Sequence, residues 1–192
     1  MTRTAIFGGT FNPLHNGHIA VAKGVLEAGL ADELWLMVTP QNPWKRNMAL
    51  MDDNLRFRMA FEATKDIPGI KASDFEFSLP KPSYTAETLR KLSATYPDRQ
   101  FSLVIGADNW AKFNNWYDYG FILENYPITV YPRDGYPISG IKYGNVHILD
   151  CQKIDISSTE IRSRISAGLP IGNLVPKEVE ELLGLNKTDS IS

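Results

Sequence analysis

Apolar and polar residues alternate along the chain in blocks that predict strands and helices in turn. Five apolar runs have the length of a buried strand, and they lie at residues 5–7, 33–38, 101–105, 128–131 and 146–149. Between these runs, apolar residues recur every three or four positions, which is the period of an amphipathic helix. Residues 70–79 alternate only weakly, and we expect a strand or an extended connection there.

Capping residues or turn residues lie at the ends of these helical periods. They predict one helix after Pro13 and others over residues 52–64, 85–96, 116–125, 157–167 and 176–183. Because strands alternate with helices, we predict an α/β fold, a Rossmann-like doubly wound and mostly parallel sheet with C-terminal helices. We expect one domain over residues 1–186, a frayed polar tail over residues 187–192, and ligands at the carboxyl ends of the strands.

Composition narrows the class of protein. Of the 192 residues, 22% are charged and 43% are hydrophobic, as in ordinary folded proteins. Lys and Arg number 20 against 22 Asp and Glu, a net charge of −2 that argues against nucleic acid as a partner. One cysteine cannot form an intrachain disulfide, and no apolar run approaches the length of a membrane helix. We therefore expect a cytoplasmic protein without a membrane partner, and the sequence leaves open whether it forms a homo-oligomer.

The first segment that indicates chemistry is GGTFNPLHNGH at residues 8–18. It lies at a predicted strand-to-helix turn, where free backbone N–H groups and the helix dipole favour an anion. Gly8 and Gly9 allow close approach of a ligand, and His15 and His18 face the same way and can donate to one polyphosphate. The segment lacks the Gly-Lys-Ser/Thr of a P-loop and the third glycine of a dinucleotide fingerprint. No third ligand stands at metal-site spacing, so no protein metal site is predicted.

The second segment is ISSTEIR at residues 156–162, which opens a helix. Ser157 and Glu160 have the spacing of a capping box, so a well-capped helix alone would explain much of the pattern. Arg162, however, stands one turn inside a cluster of hydroxyls at the positive end of the helix. This combination predicts a second phosphate site.

Together the two segments resemble the nucleotidylyltransferase superfamily, whose members carry an H-x-G-H signature and a later I-S-S-T-x-I-R motif. The resemblance implies that His18 is catalytic and that the second motif closes over the phosphates of ATP. Most members have aspartate where this chain has Asn12. The residues that the resemblance assigns to ATP are Gly8, Gly9, Thr10, Phe11, His15, His18, Gly106, Asp108, Ile156, Ser157, Ser158, Thr159 and Arg162.

Three further segments resemble bacterial nicotinate-nucleotide adenylyltransferases: PSYTAETL at 82–89, IGAD at 105–108 and FNNWY at 113–117. The resemblance implies that nicotinate mononucleotide is the second substrate and that Trp116 stacks on its ring, as an indole face favours a pyridinium. A buried core position is the alternative for Trp116, and a helix cap is the alternative for Asp108. The residues assigned to this substrate are Asn42, Lys45, Tyr84, Thr85, Trp116, Tyr117 and Arg133.

The implied reaction transfers AMP from ATP to nicotinate mononucleotide and yields deamido-NAD and pyrophosphate, a step of NAD biosynthesis. A phosphate monoester already carries charge at neutral pH, because its second pKa is ~6, so the attack needs no general base. We expect direct in-line displacement, with His18, His15, Lys45 and Arg162 as the catalytic donors and Mg²⁺ carried on the ATP phosphates. For Lys45 and its neighbour Arg46, a solvated basic pair is the alternative.

Two other functions fit parts of the pattern. A phosphopantetheine adenylyltransferase shares the first motif, but it lacks the aromatic segment at 113–117. A nucleotide-binding sensor could keep the fold without turnover. The sensor would release no pyrophosphate from ATP, and the phosphopantetheine enzyme would release it only with phosphopantetheine.

Overall fold

The centre of the protein is a parallel sheet. The structure, a computed structural model, describes residues 1–40, 50–138, 143–151 and 155–184. Six strands run through these ranges: β1 (Thr2–Gly9), β2 (Glu33–Val38), β3 (Ile70–Ser73), β4 (Arg99–Gly106), β5 (Ile128–Tyr131) and β6 (Val146–Ile148). They pair in the order β3-β2-β1-β4-β5-β6, and every pairing is parallel. The predicted α/β class and Rossmann-like sheet are thus confirmed.

Helices cover both faces of the sheet. In chain order they are α1 (Asn16–Glu27), α2 (Asp53–Thr64), α3 (Thr85–Thr95), α4 (Ala107–Trp110), α5 (Tyr119–Asn125), α6 (Ser158–Ser166) and α7 (Lys177–Leu182). Two short 3-10 segments, Phe75–Ser78 and Phe113–Asn115, precede α3 and α5. No helix of the described ranges is long and apolar enough to cross a membrane.

Side chains of the central strands alternate between two cores. On β1, Ala5 and Phe7 pack with α1, α2, α6 and α7, whereas Ile6 faces the opposite core with α3 and α5. All six residues of β2 are buried, as expected for a parallel strand covered on both faces. This burial explains why β2 is a continuous apolar run rather than an alternating one.

Two predicted elements differ from the structure. Residues 70–79 divide into strand β3 and a 3-10 segment. The predicted helix over 116–125 was wrong at its start, because Trp116 has an extended backbone (ψ 146°) and Asp118 a left-handed one (φ 52°). The predicted domain end at residue 186 and the tail 187–192 lie outside the described residues.

The sheet order reverses next to β1. From β1 the chain proceeds outward through β2 to β3, and then returns to place β4 on the other side of β1. The loops after β1 and β4 therefore leave the sheet on opposite faces and open a crevice at its carboxyl edge. The segments GGTFNPLHNGH and IGAD lie at the ends of β1 and β4, and Gly8 and Gly106 line one cavity at this crevice.

Candidate active site

The glycine turn after β1 is shaped by one aromatic side chain. Phe11 has a positive φ of 44° and is buried, and its ring folds back over Gly9. A Cβ at Gly9 would lie 3.2 Å from that ring, while a Cβ at Gly8 would meet nothing within 4 Å. Gly9 therefore serves the packing of Phe11, and only Gly8 leaves space for a ligand.

His15 and His18 form a stacked pair at the start of α1. His15 is the N-cap of the helix, and the two imidazole rings lie 3.6 Å apart at an angle of 22°. The backbone N–H of His15 donates to Nδ1 of His18 over 3.2 Å. In the neutral ring the proton must then be on Nε2, so His18 presents an N–H donor. The prediction that the two histidines share a face is confirmed.

Both imidazoles are uncharged at neutral pH. Burial lowers the pKa of His15 to about 4, and the nearby positive charge of Arg133 adds to this effect. The pKa of His18 is also well below its usual value, chiefly through burial and then through His15 and Arg133. The ring of Phe11 stands edge-on to His18 at 4.9 Å and contributes to that dry surrounding. The pair therefore offers neutral hydrogen-bond donors to an anion.

The second motif is fastened directly to the first. Ser157 caps α6, since its Oγ accepts from the N–H of Glu160 over 3.1 Å, as its spacing predicts. Ser158 Oγ donates to the carbonyl of Pro13 over 3.1 Å. Arg162 donates to the carbonyl of Asn12 over 2.8 Å and to Thr159 Oγ1 over 3.1 Å. Residues 150 positions apart thus hold the glycine turn and the start of α6 together.

Asn12 anchors the far side of the same turn. Its Oδ1 accepts from the backbone N–H of Met51 over 3.0 Å, just before α2. An amide oxygen can accept this bond as a carboxylate oxygen would. The departure from the superfamily pattern at Asn12 therefore leaves this contact intact.

Sequence reasoning missed Arg56, a fully buried arginine on α2. Its guanidinium donates to the carbonyls of Thr10, Thr39 and Met51 and to the carboxylate of Asp53. It therefore joins the glycine turn to the end of β2. The available signal was a charged residue on the same helical face as Met59 and Ala63, where an apolar residue is expected.

A cavity of about 330 Å³ lies beside the second motif. Its lining includes Asp108, Arg133, Ile156 and Ser157. Asp108 Oδ1 is 3.7 Å from Nε of Arg133, and a Cβ at Gly106 would collide with that carboxylate. Asp108 is not the cap of α4, which is Gly106, so its alternative role as a helix cap is wrong.

A second cavity, of about 200 Å³, lies between the ends of β1 and β4 and the start of α3. Gly8, Thr85 and Trp116 line it, together with Tyr131, whose hydroxyl accepts from Arg133 over 3.1 Å. Trp116 is half-buried against Phe113, so it is a packed aromatic and a cavity wall at once.

Other sequence-predicted residues stand apart from this cavity or outside the described chain. The rings of Tyr84 and Tyr117 pack 4.7 Å apart and are largely exposed. Asn42 and Lys45 lie outside the described residues. The structure adds polar lining residues that sequence reasoning did not select: Glu76, Ser83, Thr88 and Asn109. Ser83 and Thr88 belong to the PSYTAETL segment, which was the available signal for them.

Metal ligands do not cluster in the described ranges. There, no group of three or more His, Cys, Asp and Glu side chains is placed to hold a metal ion.

Comparisons with known proteins identify the family of the chain. The sequence model of the cytidylyltransferase-like family matches residues 6–164. A Bacteroides fragilis protein named "Probable nicotinate-nucleotide adenylyltransferase" is 42% identical over 191 residues, which cover 99% of this chain and 94% of that protein.

Solved structures show the same fold. A Vibrio parahaemolyticus protein described in the same terms has a TM-score of 0.67 and 27% identity, over 95% of this chain and 92% of its own. The Plasmodium falciparum nicotinic acid mononucleotide adenylyltransferase, solved with NaAD, has a TM-score of 0.79 at 16% identity, over 95% of both chains. The chain therefore belongs to the cytidylyltransferase-like family, in the group whose members are named nicotinate-nucleotide adenylyltransferase.

Proposed function

We propose that the protein transfers the adenylyl group of ATP to nicotinate mononucleotide and releases deamido-NAD and pyrophosphate. The observation that carries this proposal is the junction of the two motifs, in which Arg162 and Ser158 bind the glycine turn beside the stacked histidines. That junction brings the starts of α1 and α6 together, and helix starts supply the kind of donors that a polyphosphate requires. The acceptor, nicotinate mononucleotide, is proposed from the name of a relative that is 42% identical.

The proposed reaction needs no nucleophile from the protein. An oxygen of the acceptor's phosphate attacks the α-phosphorus of ATP, and the bond from that phosphorus to the bridging α,β oxygen breaks. Pyrophosphate leaves with the electron pair. Because the attacking oxygen is already ionised, no proton has to be removed. The site must instead align two anions and stabilise the charge that develops on the leaving group.

The histidines and Arg162 supply that stabilisation in the proposed mechanism. The Nε2–H of His18 donates to the phosphates without carrying a charge of its own, and His15 holds its ring in place. Arg162 brings a fixed positive charge to the turn. We assign Lys45 to the same task, on its basic side chain and the family resemblance, as a second cation for the transferring phosphate.

The two cavities suggest where each substrate lies. We place the nucleoside of ATP beside Asp108 and Ser157, and the nicotinate ring against Trp116 with its carboxylate toward the start of α3 at Thr85. Arg133 contacts Asp108 of one cavity and Tyr131 of the other. It therefore stands between the substrates, where the phosphate of the mononucleotide would need a cation.

Mg²⁺ enters this proposal as part of the ATP substrate. It neutralises phosphate charge when bound, keeps most of its waters and needs few protein ligands. We also propose a cytoplasmic location and no nucleic-acid partner, on the single cysteine and the slightly acidic charge.

Product analysis tests the proposal. The protein is incubated with ATP, Mg²⁺ and nicotinate mononucleotide, and the mixture is separated by chromatography and weighed by mass spectrometry. We expect a dinucleotide with the mass of deamido-NAD, formed in equal amount to pyrophosphate. ADP or free AMP as the main product would contradict adenylyl transfer.

A further inference from the structure

The cavity that we assign to the nicotinate ring is lined from two separate segments. Thr85 lines it from the start of α3, and Trp116 lines it from the turn before α5. Both residues are only partly buried. Contacts outside the core therefore help to set how the indole of Trp116 lies relative to α3.

The turn that carries Trp116 has an unusual backbone. Asp118 has a left-handed conformation (φ 52°, ψ 41°), which residues other than glycine rarely adopt. It is the N-cap residue of α5, yet its side chain makes no capping hydrogen bond to that helix. Its carboxylate instead accepts from the guanidinium of Arg90 on α3. Asp118 thus forgoes a local partner and pairs with a residue 28 positions away.

Arg90 is held from three directions. Besides Asp118, its guanidinium donates to Glu87, one turn earlier on α3, over 2.7 Å. It also lies over the ring of Phe121 on α5, 3.7 Å from the ring centroid. An exposed ion pair alone contributes little to stability, but a planar guanidinium that stacks on a ring and pairs with two carboxylates has a defined orientation. Arg90 therefore fixes the turn and α5 relative to α3.

A second contact joins the same two segments. The rings of Tyr84 and Tyr117 pack 4.7 Å apart, and these residues are the chain neighbours of Thr85 and Trp116. Both tyrosines are largely exposed, so their contact adds to the link between the segments rather than to the core.

We propose that Arg90 is a positioning residue for the mononucleotide, which holds Trp116 in place for the nicotinate ring through Asp118. In the described part of the chain, neither Arg90 nor Asp118 lines either of the two substrate cavities. Arg90 therefore acts on the mononucleotide through the turn and not by contact. The inference rests on the proposed function, and it adds a determinant of mononucleotide affinity outside the cavities.

The first test compares KM values. Arg90→Met keeps an unbranched apolar side chain beside Phe121 but loses the contact with Asp118. We expect KM for nicotinate mononucleotide to rise by about fivefold, less than on loss of the indole itself, because the tyrosine pair still holds part of the turn. KM for ATP and kcat should stay within about twofold of wild type, since the lost contact affects binding of one substrate.

Lys91→Met is the matched control for this variant. Lys91 is exposed on the same helix, so its substitution removes one positive charge without touching the turn. Both KM values should stay at the wild-type level. An unchanged KM for nicotinate mononucleotide in Arg90→Met overturns the inference, and so does an equal rise in KM for ATP.

Asp118→Asn separates positioning from a general effect of charge. Asparagine keeps the size of the side chain and tolerates the left-handed backbone, but it loses the charged contact with Arg90. If charge alone mattered, removal of a negative group would lower KM for the anionic mononucleotide. Positioning predicts that KM rises, as it does in Arg90→Met. A lowered or unchanged KM in Asp118→Asn contradicts the positioning role.

A double variant shows whether the effect passes through Trp116. In Trp116→Ala the indole is absent, so the addition of Arg90→Met should raise KM for the mononucleotide no further. A second fivefold rise would mean that Arg90 acts by another route, and the inference would be wrong.

The outcomes also separate this inference from the proposed function. Wild-type turnover of nicotinate mononucleotide with a KM that is insensitive to Arg90 overturns only the positioning role. Absence of that turnover in the wild-type protein overturns the proposed function and this role with it. Thermal melting of each variant shows that it is folded before its constants are compared.

Discussion

At the scale of single residues, His18 shows how neighbours prepare one side chain for its task. Its Nδ1 is occupied by the backbone N–H of His15, and its ring lies between His15 and Phe11. The remaining Nε2–H has a fixed direction and costs no reorganisation when charge develops on a phosphate. A neutral donor of this kind suits a reaction in which no proton moves.

Removal of this donor should slow the chemical step. We expect His18→Ala to lower kcat by about 10² or more, because one preorganised donor to the transition state is lost. Pyrophosphate release under saturating substrates measures the effect. The matched control is His147→Ala, an exposed histidine on β6, which should retain the wild-type rate. A His18→Ala rate near wild type would remove His18 from the mechanism.

The buried histidines should also make stability depend on pH. The pKa of His15 is about 4 in the folded protein against 6.5 for an exposed histidine, so the unfolded state binds more protons between these values. The contribution of neutral His15 to the free energy of unfolding is therefore fully present above pH 6.5. It is lost as the pH falls toward 4, by up to about 1.4 kcal/mol per pH unit for one proton. Urea unfolding of the ligand-free protein from pH 7 to 4.5 measures this slope.

A variant isolates the contribution of His15. His15→Asn removes one titrating group, so its free energy of unfolding should fall less steeply with decreasing pH than that of the wild type. His147→Asn is the control and should keep the wild-type slope. Equal slopes in all three proteins would contradict the lowered pKa.

Local residue patterns predicted part of the site and missed another part. The His15 and His18 pair and the Ser157 cap depend on contacts within one helical turn, which spacing reveals. Arg56 bonds Thr39 and Thr10, 17 and 46 positions away, and Glu76 bonds Thr88, 12 positions away. No local pattern records such contacts. For Arg56 the sequence carries one sign, a charged residue on the helical face of Met59 and Ala63, but that sign does not name its partners.

At the scale of elements, the glycine turn is held from two sides by arginines of different helices. Arg56 on α2 fixes Thr10 and the end of β2, and Arg162 on α6 fixes Asn12. Each arginine satisfies backbone carbonyls that the turn leaves without partners. The turn is therefore positioned by α2 and α6 in addition to its own residues Phe11 and Asn12.

Loss of Arg56 should destabilise the whole protein. Arg56→Met keeps the length of the side chain but removes the donor to the carbonyls of Thr10 and Thr39, so we expect a loss of roughly 3 kcal/mol in the free energy of unfolding. Denaturant titration measures it. Arg58→Met, at an exposed position on the same helix, is the control and should change stability by less than about 0.5 kcal/mol. Equal effects of the two substitutions would show that Arg56 is no anchor.

Most elements were predictable because their apolar periods are clear, and the start of α5 is the main exception. The helical pattern of residues 116–125 continues through Trp116, yet the chain there stays extended and turns at Asp118 before α5 begins. The carboxylate of Asp118 accepts from Arg90 on α3, a contact that the sequence period does not show. This turn is what carries Trp116 to the cavity wall.

At the scale of the whole molecule, the sheet order explains why distant segments share one site. Because β4 returns to the side of β1, the glycine turn, Asp108 and Trp116 meet at one carboxyl edge. The alternation of strands and helices predicted this class of sheet, and the position of ligands follows from the reversal of strand order. That edge carries two cavities, and we assign one to each proposed substrate.

Because we place the two substrates in different cavities, a substitution in one cavity should change KM for one substrate and not for the other. Trp116→Ala should raise KM for nicotinate mononucleotide by about tenfold, as a stacked aromatic contact is lost, and should leave KM for ATP near wild type. Steady-state kinetics with each substrate varied in turn measure both constants. Trp110→Ala is a control, since Trp110 is not among the residues that line this cavity in the described chain. Equal weakening of both substrates by Trp116→Ala would show that the stacking assignment is wrong.

The central claim is that this site transfers AMP to nicotinate mononucleotide, and parallel pyrophosphate release tests it most directly. The protein is given ATP and Mg²⁺ with nicotinate mononucleotide, nicotinamide mononucleotide or phosphopantetheine. We predict release that depends on an acceptor and is strongest with nicotinate mononucleotide at neutral pH. Release only with phosphopantetheine, or with none of the three acceptors, would contradict the account.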